Sequence, residues 1–133
     1  MFTLGEGNGY TQEDITETAR ALTGYNRYKT YLGVIEFNET TFDKGSKTIF
    51  GRTGNWGYSD VIDILFEEKK DLIAEFICTK IYRYFVSPKV DSSIVSAMTK
   101  TIKEEDFEIL PVLKQLFKSE HFFDSVNNNV IIK

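Results

Sequence analysis

Tyr10-Thr11-Gln12-Glu13-Asp14-Ile15-Thr16-Glu17-Thr18-Ala19-Arg20-Ala21-Leu22-Thr23-Gly24 reads as one helix with both its start and its stop marked. Thr11 is the N-cap candidate, because its hydroxyl accepts from backbone N–H groups that lack a partner in the first turn. Asp14 stands three residues on, in the capping-box position. Ile15, Ala19 and Leu22 recur at helical spacing and are expected to face the core. Gly24 is the natural stop, since glycine takes the left-handed conformation at little cost.

Upstream of this helix, Gly5, Gly7 and Gly9 alternate with other residues, and a glycine loop at a helix N-terminus suggests an anion site. The spacing argues otherwise: a dinucleotide fingerprint needs glycine where Tyr10 stands, and a P-loop needs Gly-Lys-Ser/Thr. Charge argues the same way, because Glu6, Glu13, Asp14 and Glu17 repel a phosphate while suiting the helix dipole. The expectation is a structural turn leading into a capped helix, with no cofactor. As hard oxygen ligands, Glu6, Asn8 and Asp14 form the alternative metal set, without EF-hand spacing to support it.

Downstream, the period changes to nearly two from Tyr31 to Phe37, and Lys47-Thr48-Ile49-Phe50 is a second β-prone run. With Asp43-Lys44-Gly45-Ser46 between them, the two runs predict one β-hairpin at about residues 31–51. Gly54-Asn55-Trp56-Gly57 is a loop, and Ser59 is the expected cap of a second helix through Val61, Ile62, Leu65 and Phe66. The block Glu67-Glu68-Lys69-Lys70 is a solvated junction. A third helix, Asp71 to Val86, has the widest apolar stripe and is expected to be central; Ser87-Pro88 ends it.

Asp91 or Ser92 caps a fourth helix that points Ile94, Val95, Met98 and Ile102 inward. A fifth, from about Glu108 to Lys118, keeps Pro111 in its first turn, where no backbone donor is lost, and has Leu110, Leu113, Leu116 and Phe117 as its stripe. The fold class is therefore mainly α, about five helices with one β-hairpin between helices one and two. Residues 1–133 are read as a single helical domain or domain fragment.

Composition supports an ordinary globular core, with 41% hydrophobic and 27% charged residues. The formal net charge of -4, with no basic stripe, argues against sequence-independent, phosphate-neutralising nucleic-acid binding. No apolar run approaches the roughly 18 residues of a membrane span, and no signal peptide is present. Cys78, flanked by Ile77 and Ile81, reads as a small buried hydrophobe. Phe2 and Leu4 at one end and Val130-Ile131-Ile132 at the other are apolar where termini are usually polar, so a segment of a longer protein is expected.

An ordered string of motifs runs along nearly the whole chain. It comprises Phe2-Thr3-Leu4-Gly5, Tyr10-Thr11-x-x-Asp14, Ala19-Arg20-Ala21-Leu22-Thr23-Gly24, Asp43-x-Gly45-x-Lys47-Thr48-x-x-Gly51, Gly54-Asn55, Asp60-Val61-Ile62-Asp63-Ile64-Leu65 and Arg83-Tyr84-Phe85-Val86. Together these resemble the bacterial family known as domain of unknown function 1800. The resemblance implies a bacterial source, a parent chain several times longer with helical sequence on both sides, and a possible exported location for it. Tyr25 stands where that pattern often has Trp, and Phe42 where it often has His. The second departure weakens any His–Asp pair at the hairpin.

No diagnostic catalytic motif is present. The candidate acids are Asp14, Asp43 and Asp63, the last placed among apolar residues beside Asp60 and expected to pair with Arg20 or Arg83. His121 lacks partners at zinc spacing and reads as a helix C-terminal residue. Eight rings between Tyr25 and Tyr58 suggest a binding surface, with Tyr28 and Trp56 the most exposed and Asn55 and Arg83 as polar companions. The expected role is a structural or binding module. Its partner would be the remainder of the parent protein, another protein or a glycan, and nucleic acid is not expected. The alternatives are part of a hydrolase-type enzyme completed elsewhere, or a carbohydrate-binding surface.

Overall fold

A computed structural model of the chain describes residues 3–25, 27–29 and 34–124, with backbone alone at 27–29 and 34. The elements run α1 (Gln12–Ala21), β1 (Arg27–Lys29), β2 (Val34–Glu36), β3 (Lys47–Ile49), β4 (Arg52–Gly54), α2 (Tyr58–Glu68), α3 (Lys70–Phe85), α4 (Ser92–Glu104), α5 (Ile109–Lys118) and α6 (Glu120–Phe123). The protein is mainly helical, with its β structure between α1 and α2, where the sequence placed it. Two compact units divide it: Met1–Asn8 with Lys70–Lys133, and Gly9–Lys69.

The pairing inside the β insertion differs from the expected one. β1 pairs antiparallel with β2, and β3 with β4, so the two β-prone runs flanking Asp43-Lys44-Gly45-Ser46 belong to different ladders. Phe50 and Gly51 make the tight link between β3 and β4 with φ of 49° and 83°, the left-handed pair that a two-residue hairpin turn requires. Residues 31–33 of the first β-prone run lie outside the described residues, and its apolar spacing did not reveal that Gly51 closes a hairpin of its own.

In the unit Gly9–Lys69, α1 begins as expected. Thr11 caps it and Asp14 completes the capping box. Its packing face is not the expected one. Ala21 is buried and Asp14, Glu17 and Thr18 are partly so, while Ile15 is 47% exposed and Leu22 38%. The residues at 14, 17, 18 and 21 are as helically spaced as 15, 19 and 22, and the polar set wins because β3 offers it hydrogen bonds. The small core behind β3 joins Ala21, Ile49, Val61 and Ile64, with Phe50 and Trp56 packed against it. α2 starts two residues earlier than expected, with Gly57 at its N-cap and Asp60 accepting from the Gly57 N–H at 2.8 Å. Ser59 does not cap it. Val61 and Ile64 face inward, and Ile62 and Phe66 are exposed.

In the other unit, α3, α4 and α5 surround a core of Ala74, Cys78, Tyr82, Val86, Val95, Met98, Ile102, Val112 and Leu116. The expected inward positions of α4 hold at Val95, Met98 and Ile102, and Asp91 caps it. On α5, Val112 and Leu116 are buried and Leu110 is exposed, which rotates the expected stripe. Cys78 is fully buried. Burial pushes its thiol pKa up, with the Thr99 hydroxyl opposing, so it stays a protonated hydrophobe. The sequence reading had no helix at α6. Ser119 caps it, and its His121 Nε2 lies 2.8 Å from the hydroxyl of buried Tyr82.

Candidate functional site

Side chains of α1 line the outer edge of β3. In the β3–β4 ladder Lys47 faces Gly54 and Ile49 faces Arg52, so the N–H groups of Thr48 and Phe50 point away from β4. Left alone, they would be the open edge of a two-stranded sheet. Glu17 Oε2 accepts from Thr48 N–H at 3.1 Å, and Asp14 Oδ1 from Phe50 N–H at 2.7 Å. Arg20 Nη1 donates to the Ser46 carbonyl at 3.3 Å. Positions 14, 17 and 20 climb one helix face while 50, 48 and 46 descend one strand edge, so the helix serves as a side-chain replacement for a third strand.

Arg20 ties this edge to the loop before β3. Its Nε lies 2.8 Å from Asp43 Oδ2, its Nη2 3.3 Å from Asp43 Oδ1, and its Nη1 2.8 Å from both Glu17 oxygens. Arg20 thus pairs with Asp43 and Glu17, and not with Asp63 as expected. Hydrogen bonding to Arg20 is the leading cause that lowers the pKa of Asp43 and of Glu17 below the usual carboxylate range. For Asp14, burial acts to raise the pKa, but hydrogen bonds from the Thr11 and Phe50 N–H groups outweigh it and the net shift is downward.

Lys47 is the residue whose role the sequence concealed. It is 0% exposed, and its Nζ donates to the Asp43 carbonyl at 2.5 Å, the Gly45 carbonyl at 2.9 Å and Asn55 Oδ1 at 3.2 Å. The Phe42 ring centroid lies 4.8 Å away. An ammonium has three N–H donors, and here each has an acceptor. The sequence reading placed Lys47 only in a β-prone run; the clue to its role is its place in Asp43-x-Gly45-x-Lys47, a turn followed by a donor able to reach back into it.

The other candidates separate. Asn55 is exposed apart from its amide contact with Lys47. Trp56 is half-buried: Nε1 donates to the Arg52 carbonyl at 3.0 Å, and the indole lies where a side chain on Gly54 would sit, 2.5 Å from the Cβ position. The expectation of an exposed Trp56 is therefore corrected; a residue without a Cβ two positions away lets the indole fold back. The Tyr28 side chain falls outside the described residues. Asp63 is exposed on α2, and Arg83 exposed on α3. Asn8 donates its amide to the Leu4 carbonyl at 3.0 Å, Glu6 is exposed, and Asp14 is committed to β3 and the cap. Among the described residues, no three His, Cys, Asp or Glu side chains gather as a metal would require. Gly5, Gly7 and Gly9 all have positive φ, as the turn reading requires.

A cavity of about 570 Å³ opens beside the start of α1, lined by Thr11, Glu13, Asp14, Phe50 and Lys69 among others. Lys69 Nζ lies 4.8 Å over the Phe50 ring. Elsewhere in this unit is an exposed ring surface. The Tyr25 centroid is 5.1 Å from that of Phe37 and 5.9 Å from that of Tyr58, with planes inclined by 50° and 58°. All three rings are exposed, Tyr58 by 55%. Along α2, Tyr58 continues into Ile62 and Phe66, spaced four residues apart and also exposed.

A family model described as "Protein of unknown function (DUF1800)" matches residues 1–133, and the chain belongs to that family. No curated protein and no solved structure matches it.

Proposed function

We propose that this chain is a structural and binding module, in which the acids of the family motif shape the fold and the exposed rings meet a protein partner. The observation that carries this reading is the run Phe37, Tyr25, Tyr58 and Ile62, linked by ring contacts and helical spacing, each of them exposed. Contiguous apolar surface of this kind, rimmed by polar residues, marks interaction sites. Tyrosine and phenylalanine supply most of the contact energy in such sites.

A protein partner suits the geometry better than a sugar. Sugar stacking needs one open ring face, whereas these rings are tilted by 50° and 58° against their neighbours, and aliphatic Ile62 extends the surface. The hydrolase reading has less support, because Asp14 and Asp43 are held by backbone N–H groups and Arg20, which lower their pKa and spend their lone pairs.

Substituting Tyr58→Ser together with Ile62→Lys tests the proposal. Dye fluorescence that reports exposed apolar surface should fall by about half or more, while Tm moves by less than ~3 °C, under about 1 kcal/mol for a domain of this size. A fall in Tm of roughly 10 °C would mark these residues as core and contradict the reading.

A further inference from the structure

We propose that Asn8 and Gly9 form a self-modification site: the Gly9 backbone nitrogen displaces ammonia from the Asn8 side chain, water opens the resulting ring, and the turn from Leu4 to Asn8 is unfastened. Asn8 is the only asparagine of the chain that is followed by glycine. In this reaction the nitrogen of the next residue must reach the side-chain Cγ, and any Cβ on that residue crowds the approach. Glycine has none, and its backbone turns more freely than that of other residues.

The surroundings leave the reaction open. Asn8 and Gly9 are both exposed, and they precede α1 and its Thr11 cap, so no helical hydrogen bond holds their backbone. The Gly9 N–H makes no hydrogen bond with any described residue. Its proton is therefore open to solvent base, whose attack makes the nitrogen nucleophilic. Asn38 and Asn55, the other described asparagines, are placed differently. Asn38 Oδ1 accepts from the Thr40 N–H at 3.0 Å and from the Thr40 hydroxyl at 2.6 Å, and Glu39 follows it. Asn55 Oδ1 accepts from Lys47 Nζ, and Trp56 follows it.

The step balances with water as the single co-reactant. A bond forms between Gly9 N and Asn8 Cγ, the Cγ–Nδ2 bond breaks, and Nδ2 leaves as ammonia with the proton that Gly9 gave up. Water then cleaves the five-membered imide at one of its two carbonyls. Cleavage at Cγ gives aspartate; cleavage at the backbone carbonyl gives isoaspartate, in which the main chain runs through Cγ.

One hydrogen bond makes this change matter to the fold. Asn8 Nδ2 donates to the Leu4 carbonyl at 3.0 Å, and Leu4 itself is buried. An ionised carboxylate has no N–H to give. In either product the Leu4 carbonyl loses its donor and meets an acceptor instead, and isoaspartate also adds a methylene to the backbone. Neither product closes the turn as asparagine does.

Peptide mapping by mass spectrometry, on the whole folded chain held at neutral and at mildly alkaline pH, tests this. Asn8 should convert about tenfold or more faster than Asn38 or Asn55 in the same sample, and faster at the higher pH. Asn8→Gln keeps an amide but needs a larger ring, so that chain should lose the conversion. Asn8→Asp, which carries the product's carboxylate from the outset, should lower Tm by about 3 °C or more. Conversion at Asn8 no faster than at Asn38 and Asn55 overturns the proposal. So does conversion confined to the chain unfolded in urea, since the fold would then guard the site. An unchanged Tm in Asn8→Asp overturns the unfastening of the turn.

Discussion

Lys47 shows how a charged residue becomes part of a core. Burying an ammonium is costly unless every N–H finds an acceptor, and Asp43, Gly45 and Asn55 supply one each. The same bonds draw the loop before β3 and the loop after β4 onto one atom. Replacing Lys47 by Met keeps most of the stem volume but leaves two backbone carbonyls and one amide oxygen without a donor. That should lower stability by about 2–4 kcal/mol, measured as a shift in the denaturant midpoint. A midpoint unchanged by Lys47→Met would mean that the buried contacts contribute nothing net.

Between elements, the α1–β3 edge depends on ionised carboxylates, so it should be sensitive to acid. Asp14, Glu17 and Asp43 have folded pKa values below their ordinary ones of 3.8, 4.5 and 3.8. A group with a lowered folded value binds its proton more readily when unfolded. Its stabilisation is therefore complete above the ordinary value and is lost as pH falls through the lowered one. Unfolding followed by the fluorescence of Trp56, the chain's single tryptophan, should show constant stability from about pH 7 to 5 and a decline below about pH 4. Arg20→Met should flatten that decline, since Arg20 is the leading cause of two of the three shifts. An identical acid slope in that variant would contradict the assignment.

The edge also marks where the sequence stopped being readable. Local signals worked: the Thr11–Asp14 capping box, the Asp91 cap, buried Cys78 and the inward face of α4 were all fixed by neighbours in the chain. The face of α1 was not, because Asp14, Glu17 and Arg20 turn inward only when a strand some thirty residues away presents Thr48 and Phe50 N–H groups to them. Apolar periodicity ranks Ile15, Ala19 and Leu22 above those residues and has no entry for a distant backbone donor. Strand pairing failed for a related reason, as Phe50 in a left-handed turn is chemistry that propensity discourages. Of the three candidate acids, Asp14 and Asp43 meet at the α1–β3 edge, where they bond to Phe50 N–H and to Arg20, whereas Asp63 is exposed on α2.

For the whole molecule, these observations divide the labour by polarity. Asp14, Arg20, Asp43, Lys47 and Asn55 bond to one another or to backbone, and Ile15, Leu22, Ile62 and Leu110 face outward on or beside α1, α2 and α5. Amide hydrogen exchange across the chain tests the first half of this division directly. The Thr48 and Phe50 N–H groups, on the outer edge of a two-stranded ladder, should exchange slowly, with Glu17→Ala releasing Thr48 and Asp14→Ala releasing Phe50. Fast exchange at both positions in the unsubstituted chain would contradict the claim that the Asp14 and Glu17 carboxylates hold that strand edge.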